Sequence, residues 1–263
     1  MRTEILLDEA KTRYFAALET ETLGQKFSIF PEIDSTNAYL LSLPEEEAEN
    51  RLCVSLVQTA GRGRLGRSWA SEGGGLYFSF CVRAQTQEML LLLPLAAANA
   101  VCDAFAEAGI ADAGIKWPND IILSGKKLVG ILCQSRGTRA VAGIGVNISQ
   151  SAEDFARADL PNAASLAMLG YFPDRWALCA RIASHAERYV AQILHGQEEA
   201  LLASYRARCI SIGRELIAAS AKGEIRGVGA DIDEKGRLIL ETGEGRVAVD
   251  SGEVKLRAAN GYI

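Results

Sequence analysis

The stretch Gln58-Thr-Ala-Gly-Arg-Gly-Arg-Leu-Gly-Arg-Ser-Trp-Ala-Ser-Glu-Gly-Gly-Gly-Leu-Tyr-Phe-Ser-Phe80 decides how this chain is read. Gly61, Gly63 and Gly66 let the backbone take positive φ and approach a ligand closely, while Arg62, Arg64 and Arg67 crowd three cations into the same seven residues. That combination suits an anion, most simply a phosphate. The run satisfies G-x-G-x-x-G and falls one residue short of a P-loop, with Arg67 where Lys would stand. Both of those motifs need a strand before the loop and a helix after it, because the phosphate sits on the helix N-terminus. Residues 52–58 read as a buried strand, but 69–75 are turn-rich and 76–82 alternate with aromatic and β-branched residues, so the loop leads from strand to strand.

Composition sets the outer limits. At 263 residues and 49% hydrophobic content, the chain can build a large domain plus a small one. A net charge of −5 argues against a general nucleic-acid surface, which makes the arginine loop a local site. Six cysteines, none in a C-x-x-C pair, read as buried, reduced thiols of a cytoplasmic protein. His185 and His195 lie ten apart and offer no metal spacing. The acidic N-terminus is no signal peptide, and the apolar run 89–98, broken by Pro94, is too short to span a bilayer, so no membrane partner is expected.

Outward from the loop, residues 4–22 carry helical periodicity ending at Leu23-Gly24, and one such helix cannot make a DNA reader. Residues 27–33 read as a strand, followed by a helix from Asp34-Ser35-Thr36-Asn37 to Leu43; Ser35 or Asp34 serves either as an ordinary N-cap or as a polar ligand contact. A helix is expected over 88–108. Beyond it stands Lys116-Trp117-Pro118-Asn119-Asp120, a turn that leaves the adjoining Lys116 and Trp117 without a structural task. Ser124-Gly125-Lys126 reads as a hairpin turn into the strand 127–133, with Lys127 at its mouth. Asn147 interrupts the buried strand 140–148, and a buried amide must pair either with backbone or with a heterocycle such as adenine. Residues 149–163 look like a loop, and Asp174 caps a helix to Leu194, with another over 197–209. After Ser211 the chain turns to short strands (213–217, 225–232, 237–241, 246–250 and 253–257) that read as a small barrel.

Taken together, Ser35-Thr36-Asn37, the Gly61–Arg67 loop with Trp69 and Ser71, Lys116-Trp-Pro-Asn-Asp120, Lys127-Leu-Val-Gly130, Gly143-Ile-Gly-Val-Asn147, Ala164-Ser-Leu166 and the terminal strands resemble the biotin-protein ligases. The resemblance implies an α/β catalytic domain on a mixed sheet over 1–211 and an SH3-like domain over 212–263. It implies that biotin and ATP with Mg2+ give biotinoyl-5′-AMP, from which biotin passes to a lysine of a biotin carboxyl carrier protein. It also implies roles. Ser35, Thr36, Asn37 and Gln58 would hold biotin, with backbone from Gly61, Arg62 and Gly130. Lys127, Arg64 and Lys116 would offset the repulsion between a carboxylate and the α-phosphate, with Arg64 closing over the anhydride. Arg67, Trp69, Asn119, Asn147 and Ala164 would line the adenylate. Asp120 would orient or deprotonate the carrier lysine, and Asn119 or Asp120 would help place Mg2+.

The chain departs from the family pattern at Leu65, where another Arg is often found, and at Glu72, where Pro is frequent. With about one helix before the catalytic core, the DNA-binding domain of some members is expected to be missing. A lipoate-protein ligase is the nearest alternative, and the Gly-Arg-Gly-Arg and Lys-Trp-Pro-Asn-Asp motifs favour biotin; a non-catalytic biotin sensor would have no use for Lys127, Arg64 and Lys116. An exposed strand edge would serve either carrier docking or a homodimer.

Overall fold

The computed structural model describes residues 2–220, 223–251 and 255–258. Its organising element is a seven-stranded mixed sheet in the order β1 (Lys26–Ile33), β2 (Arg51–Gln58), β3 (Gly75–Arg83), β7 (Arg139–Asn147), β6 (Lys126–Arg136), β5 (Asp120–Leu123) and β4 (Gly114–Lys116). Only β1 and β2 pair in parallel, and a parallel pair needs a crossover. The helices α2 (Thr36–Ser42) and α3 (Glu45–Ala48) supply it. Ser35 caps α2 in extended conformation, its Oγ accepting the Ala38 N–H at 3.4 Å. Strands β2 and β3 are antiparallel, so the glycine loop does run from strand to strand. Between β5 and β6 the expected hairpin turn is present but shorter than read from sequence: Ser124 (φ 52°) and Gly125 (φ 72°) form it, and Lys126 already belongs to β6.

Side chains alternate across each strand, and here the two faces have different fates. Leu76, Phe78, Phe80 and Val82 of β3 join Ala142, Ile144 and Val146 of β7 in the main core. The helices α4 (Gln87–Glu107) and α6 (Arg175–Leu194) pack on that side, flanked by α1 (Arg2–Ala17) and α7 (Glu198–Arg208). Each buried Phe or Leu there contributes about 1.5–3 kcal/mol. By length and composition α4 would cross a membrane, yet 72% of its apolar window is buried inside the protein. On the opposite face, Cys81 of β3 and Val141 of β7 pack with Leu40, Ala48 and Cys53 under α2 and α3. That face also carries Gly130, Gly143 and Gly145, whose missing side chains let Trp69 and Asn37 approach the sheet backbone.

A second sheet, of the SH3-like kind, is antiparallel throughout: β8 (Glu215–Ser220), β9 (Gly223–Ile232), β10 (Leu238–Thr242), β11 (Gly245–Val249) and β12 (Lys255–Ala258), in the order β11-β10-β9-β8-β12. It is fastened to the first through Trp117, which is 2% exposed. The Trp117 indole donates to the Gly236 carbonyl at 2.9 Å and its backbone N–H to Ser211 Oγ at 3.1 Å. Leu216, Ile232 and Leu238 are continuous with the main core. Trp117, idle as a turn residue, is therefore the bolt between the sheets.

Some expectations are corrected. The first helix ends at Ala17, not near residue 22, because the Glu187 carboxylate takes the backbone N–H groups of Glu21, Thr22 and Leu23 at 2.8 Å each, a tertiary contact that holds them out of a helix. The segment 149–163 is not all loop: it contains α5 (Ala152–Arg157), started by a reciprocal capping box between Ser151 and Asp154. Of the three loop glycines Gly66 alone takes positive φ (74°), Gly63 is extended, and the neighbouring Leu65 also adopts positive φ (55°) at the tip of a 3-10 turn. The strand expected over 253–257 falls partly outside the described residues; Lys255–Ala258 is strand.

Candidate active site

A cavity of about 450 Å3 opens over the bare part of the first sheet, walled by the glycine loop and by β5 and β6. Its floor is built from glycines that sit on one face: Gly130 pairs with Gly145, and Gly143 pairs with Ser79. A side chain at any of them would collide. A Cβ at Gly145 would lie 2.3 Å from Trp69 Nε1, one at Gly130 2.5 Å from Trp69 Cζ3, and one at Gly143 2.1 Å from Asn37 Oδ1. The indole of Trp69 thus packs against the glycine floor, with its Nε1 buried and without a hydrogen-bond partner among the described residues.

At one end of this floor α2 and β2 gather small polar groups. Ser35, Thr36 and Asn37 are buried at the start of α2 and line the cavity with Gln58. Gln58 Oε1 accepts the Thr36 N–H at 2.9 Å, and Gln58 Nε2 donates to Ser71 Oγ at 2.9 Å, which ties the end of β2 to the far arm of the glycine loop. Gly61 is required for closeness rather than for φ, since a Cβ there would sit 2.5 Å from Ser71 Oγ and 2.6 Å from the Trp69 carbonyl.

The other end is cationic. Lys127 Nζ lies 2.7 Å from Asp120 Oδ1 and 5.2 Å from the centroid of the Trp69 ring. Lys116, 7% exposed, faces the same space; burial, reinforced by Lys127, Arg67 and Arg257 and opposed by Asp120, brings its pKa down to about 8. Arg64 donates to Asn119 Oδ1 at 2.8 Å and to the carbonyl of Ser251 in the turn after β11, and burial holds its guanidinium below the usual range. Arg62 and Arg67 also line the cavity, as do Leu256 and Arg257 from β12. Among the described residues, Lys116, Lys127, Arg62, Arg64, Arg67 and Arg257 share the lining with one carboxylate, Asp120, an excess suited to a polyphosphate.

Three of the sequence-derived candidates do not line this cavity: Gly61, Asn147 and Ala164. Asn147 Nδ2 donates to the carbonyls of Lys127 (3.3 Å) and Ala164 (3.1 Å), and Ala164 N–H donates to the Lys127 carbonyl at 3.1 Å. Here these residues brace the backbone that carries Lys127. Asn119 is likewise occupied, since its Nδ2 donates to the Ile131 carbonyl at 2.7 Å while its Oδ1 holds Arg64. With the Asn119 amide paired at both ends, the Asp120 carboxylate held by Lys127, and no cluster of three or more metal-ligating side chains among the described residues, the donor set fits a Mg2+ carried on phosphates and keeping its waters rather than a resident ion. Sequence reasoning missed Gly143 and Gly145 as floor residues, although glycines two apart inside a strand signal a close approach on one face. It also missed Ser251, Leu256 and Arg257, whose arrival from the turn after β11 and from β12 has no local signature. Neither histidine takes part: His185 Nε2 is 2.9 Å from Glu107 on the helical side of the sheet.

The chain matches the biotin/lipoate A/B protein ligase family over residues 29–151 and the biotin protein ligase C-terminal domain over residues 211–257. It is 34% identical over 260 residues to a bifunctional ligase/repressor of Bacillus subtilis (strain 168), covering 95% of this chain and 79% of that protein. It is 34% identical over 240 residues to a biotin--[acetyl-CoA-carboxylase] ligase of Mycobacterium tuberculosis, covering 88% of each. Among solved structures, the biotin protein ligase of Aquifex aeolicus in complex with biotin and ATP superposes with a TM-score of 0.80 at 29% identity, covering 89% of this chain and all of that one.

Proposed function

The chain belongs to the biotin/lipoate A/B protein ligase family, and on that premise we propose how its own residues perform the reaction of a biotin--[acetyl-CoA-carboxylase] ligase. The protein uses ATP to activate biotin as biotinoyl-5′-AMP and transfers the biotinoyl group to a lysine of a carboxylase carrier. In the first step a carboxylate oxygen of biotin bonds to the α-phosphorus, and the bond from that phosphorus to the bridging oxygen breaks as pyrophosphate leaves. In the second, the carrier lysine's amine bonds to the acyl carbon and AMP leaves with the electron pair.

Two anions must meet in the first step, so fixed cations are the chemical requirement. What supports the assignment is the convergence of Lys127, Lys116 and Arg64 at one end of the glycine-floored cavity, opposite the polar cluster of Ser35, Thr36, Asn37 and Gln58. In this reading biotin's ureido head sits at the polar end and its carboxylate reaches Lys127. Gly130, Gly143 and Gly145 leave the depth for it, and Trp69 yields to the adenylate or covers it. A Mg2+ held on the phosphates of ATP beside Asn119 and Asp120 would offset phosphate charge there. Arg64, anchored to Asn119 and Ser251, closes the glycine loop over the anhydride and keeps water out. Asp120 is paired with Lys127 until an anion competes for that ammonium; released, it accepts a proton from the carrier lysine, whose ordinary pKa is about 10.4.

We assign 1–211 to the catalytic domain and 212–263 to the SH3-like domain, with activity in the cytoplasm, where ATP is at hand and cysteines stay reduced. No strand among the described residues pairs with the outer edge of β1, which suits strand addition by the carrier or by a second copy. Size-exclusion chromatography with and without carrier separates those two. The activity itself is tested by exchange of labelled pyrophosphate into ATP. Exchange that needs biotin and is not supported by lipoate is the expected result; exchange with lipoate alone, or none with either, contradicts the reading.

A further inference from the structure

Beneath the polar end of the cavity lies a chain of hydrogen bonds whose direction can be worked out atom by atom. Asn37 Nδ2 lies 3.2 Å from the Leu132 carbonyl and 2.9 Å from Gln134 Oε1. A backbone carbonyl only accepts, so the nitrogen of the Asn37 amide must face it, and Oδ1 must point the other way. There it meets Ser79 Oγ at 2.6 Å. The amide oxygen carries no hydrogen, so Ser79 gives its single hydroxyl hydrogen to Asn37. Ser79 Oγ is also 2.6 Å from Thr36 Oγ1, and with its own hydrogen spent it can only accept there. Thr36 therefore donates to Ser79, and the lone pair left on Thr36 Oγ1 makes that hydroxyl an acceptor toward the cavity. Gln58 Oε1, which accepts the Thr36 backbone N–H, also lies 3.1 Å from Thr36 Oγ1 as a second and more distant acceptor for the hydroxyl hydrogen, and a hydrogen given to either Ser79 or Gln58 leaves Thr36 an acceptor toward the cavity.

We infer that Ser79, which is fully buried and does not line the cavity, is a positioning residue that fixes Thr36 as a hydrogen-bond acceptor and thereby selects for an N–H at the ureido end of the substrate. Gly143 belongs to the same device, because any side chain there would strike the Asn37 oxygen that receives the Ser79 hydrogen. The inference rests on the proposed placement of the ureido group against Thr36.

The test compares biotin with its two cyclic carbamate isosteres, in each of which one ureido N–H is replaced by oxygen. In the wild type, the isostere that sets oxygen against oxygen at Thr36 should bind at least about 100-fold more weakly than biotin, because a buried acceptor is left unpaired. In Ser79→Ala the nearer acceptor is gone and the Thr36 hydrogen is left to divide between the longer contact with Gln58 Oε1 and the cavity, so biotin weakens while that isostere is relieved, and the ratio should shrink to about tenfold or less. Ser79→Cys, nearly isosteric and a weaker donor, should fall between them and serves if the Ala variant folds poorly. ATP binding should stay within about threefold throughout. A Ser79→Ala variant that loses affinity for biotin and both isosteres by one common factor overturns the positioning role. A Thr36→Val variant that binds biotin as the wild type does overturns the placement of the ureido group, and the inference with it.

Discussion

Lys116 carries its charge in the wrong place for stability and the right place for chemistry, and replacing it with Met should separate the two. The gap between its ordinary pKa of 10.5 and about 8 in the folded protein, at about 1.4 kcal/mol per tenfold, gives about 3 kcal/mol as the most that holding this proton costs the fold. The direction follows from linkage: folded Lys116 binds its proton less tightly than the unfolded chain does, so the penalty is fully present below about pH 8 and disappears as the pH rises through 10.5. Met fills a similar volume without the charge, and Asp120 keeps Lys127 as its partner at 2.7 Å. Lys116→Met should therefore stabilise the unliganded protein by about 1–3 kcal/mol at pH 7, a rise in Tm of several degrees. That gain should fade by pH 10, and biotin-dependent pyrophosphate exchange should drop by about 100-fold or more. Thermal unfolding at the two pH values, read beside the exchange assay, checks all three. If the Met variant is no more stable at pH 7, or if its gain persists undiminished at pH 10, the electrostatic account of this site is wrong.

Three further outcomes follow from the geometry. Gly145→Ala puts a methyl 2.3 Å from Trp69 Nε1 and should expel the indole from the glycine floor, seen as a red-shifted tryptophan emission with at least about tenfold weaker adenylate binding; an unchanged spectrum would mean that Trp69 does not depend on that glycine. Asp120→Ala should leave biotinoyl-AMP formation within about threefold of wild type and slow transfer to the carrier by about 100-fold, whereas equal losses in both half-reactions would remove Asp120 from the acceptor role. Arg64→Gly cuts the links to Asn119 and Ser251, so it should release biotinoyl-AMP and label bystander lysines; a variant that retains its product and biotinylates only the carrier refutes the closing role.

Much of this was legible along the chain. The strands flanking the glycine loop, the cap at Ser35, the turn at Ser124-Gly125 and the helix opened by Asp174 are dictated by neighbours in sequence, and the structure has them. Departures arise where a distant group decides. Glu187 reaches across to the backbone of residues 21–23 and stops α1 early. The helix α5 had a local sign, Ser151 with Asp154 three residues on, that the expectation of a loop passed over. At the site, residue identities were readable as motifs but their mutual arrangement was not. No spacing rule says that Trp69 will lie on Gly130 and Gly145, strands away, or that Ser251 and Arg257 will come from the turn after β11 and from β12 to close the cavity. Nor could a sequence give the sense of the Asn37–Ser79–Thr36 chain, which depends on which atom faces the Leu132 carbonyl.

A structure of the protein with biotinoyl-5′-AMP bound bears most directly on the central claim, that one cavity joins a ureido-binding end to a cationic end. The account predicts the ureido group against Thr36 and Gln58, and the anhydride phosphate within hydrogen-bond distance of Lys127 Nζ. An adenylate whose phosphate lies away from Lys127 and Lys116, or whose ureido group leaves the Ser35–Gln58 end empty, would contradict it.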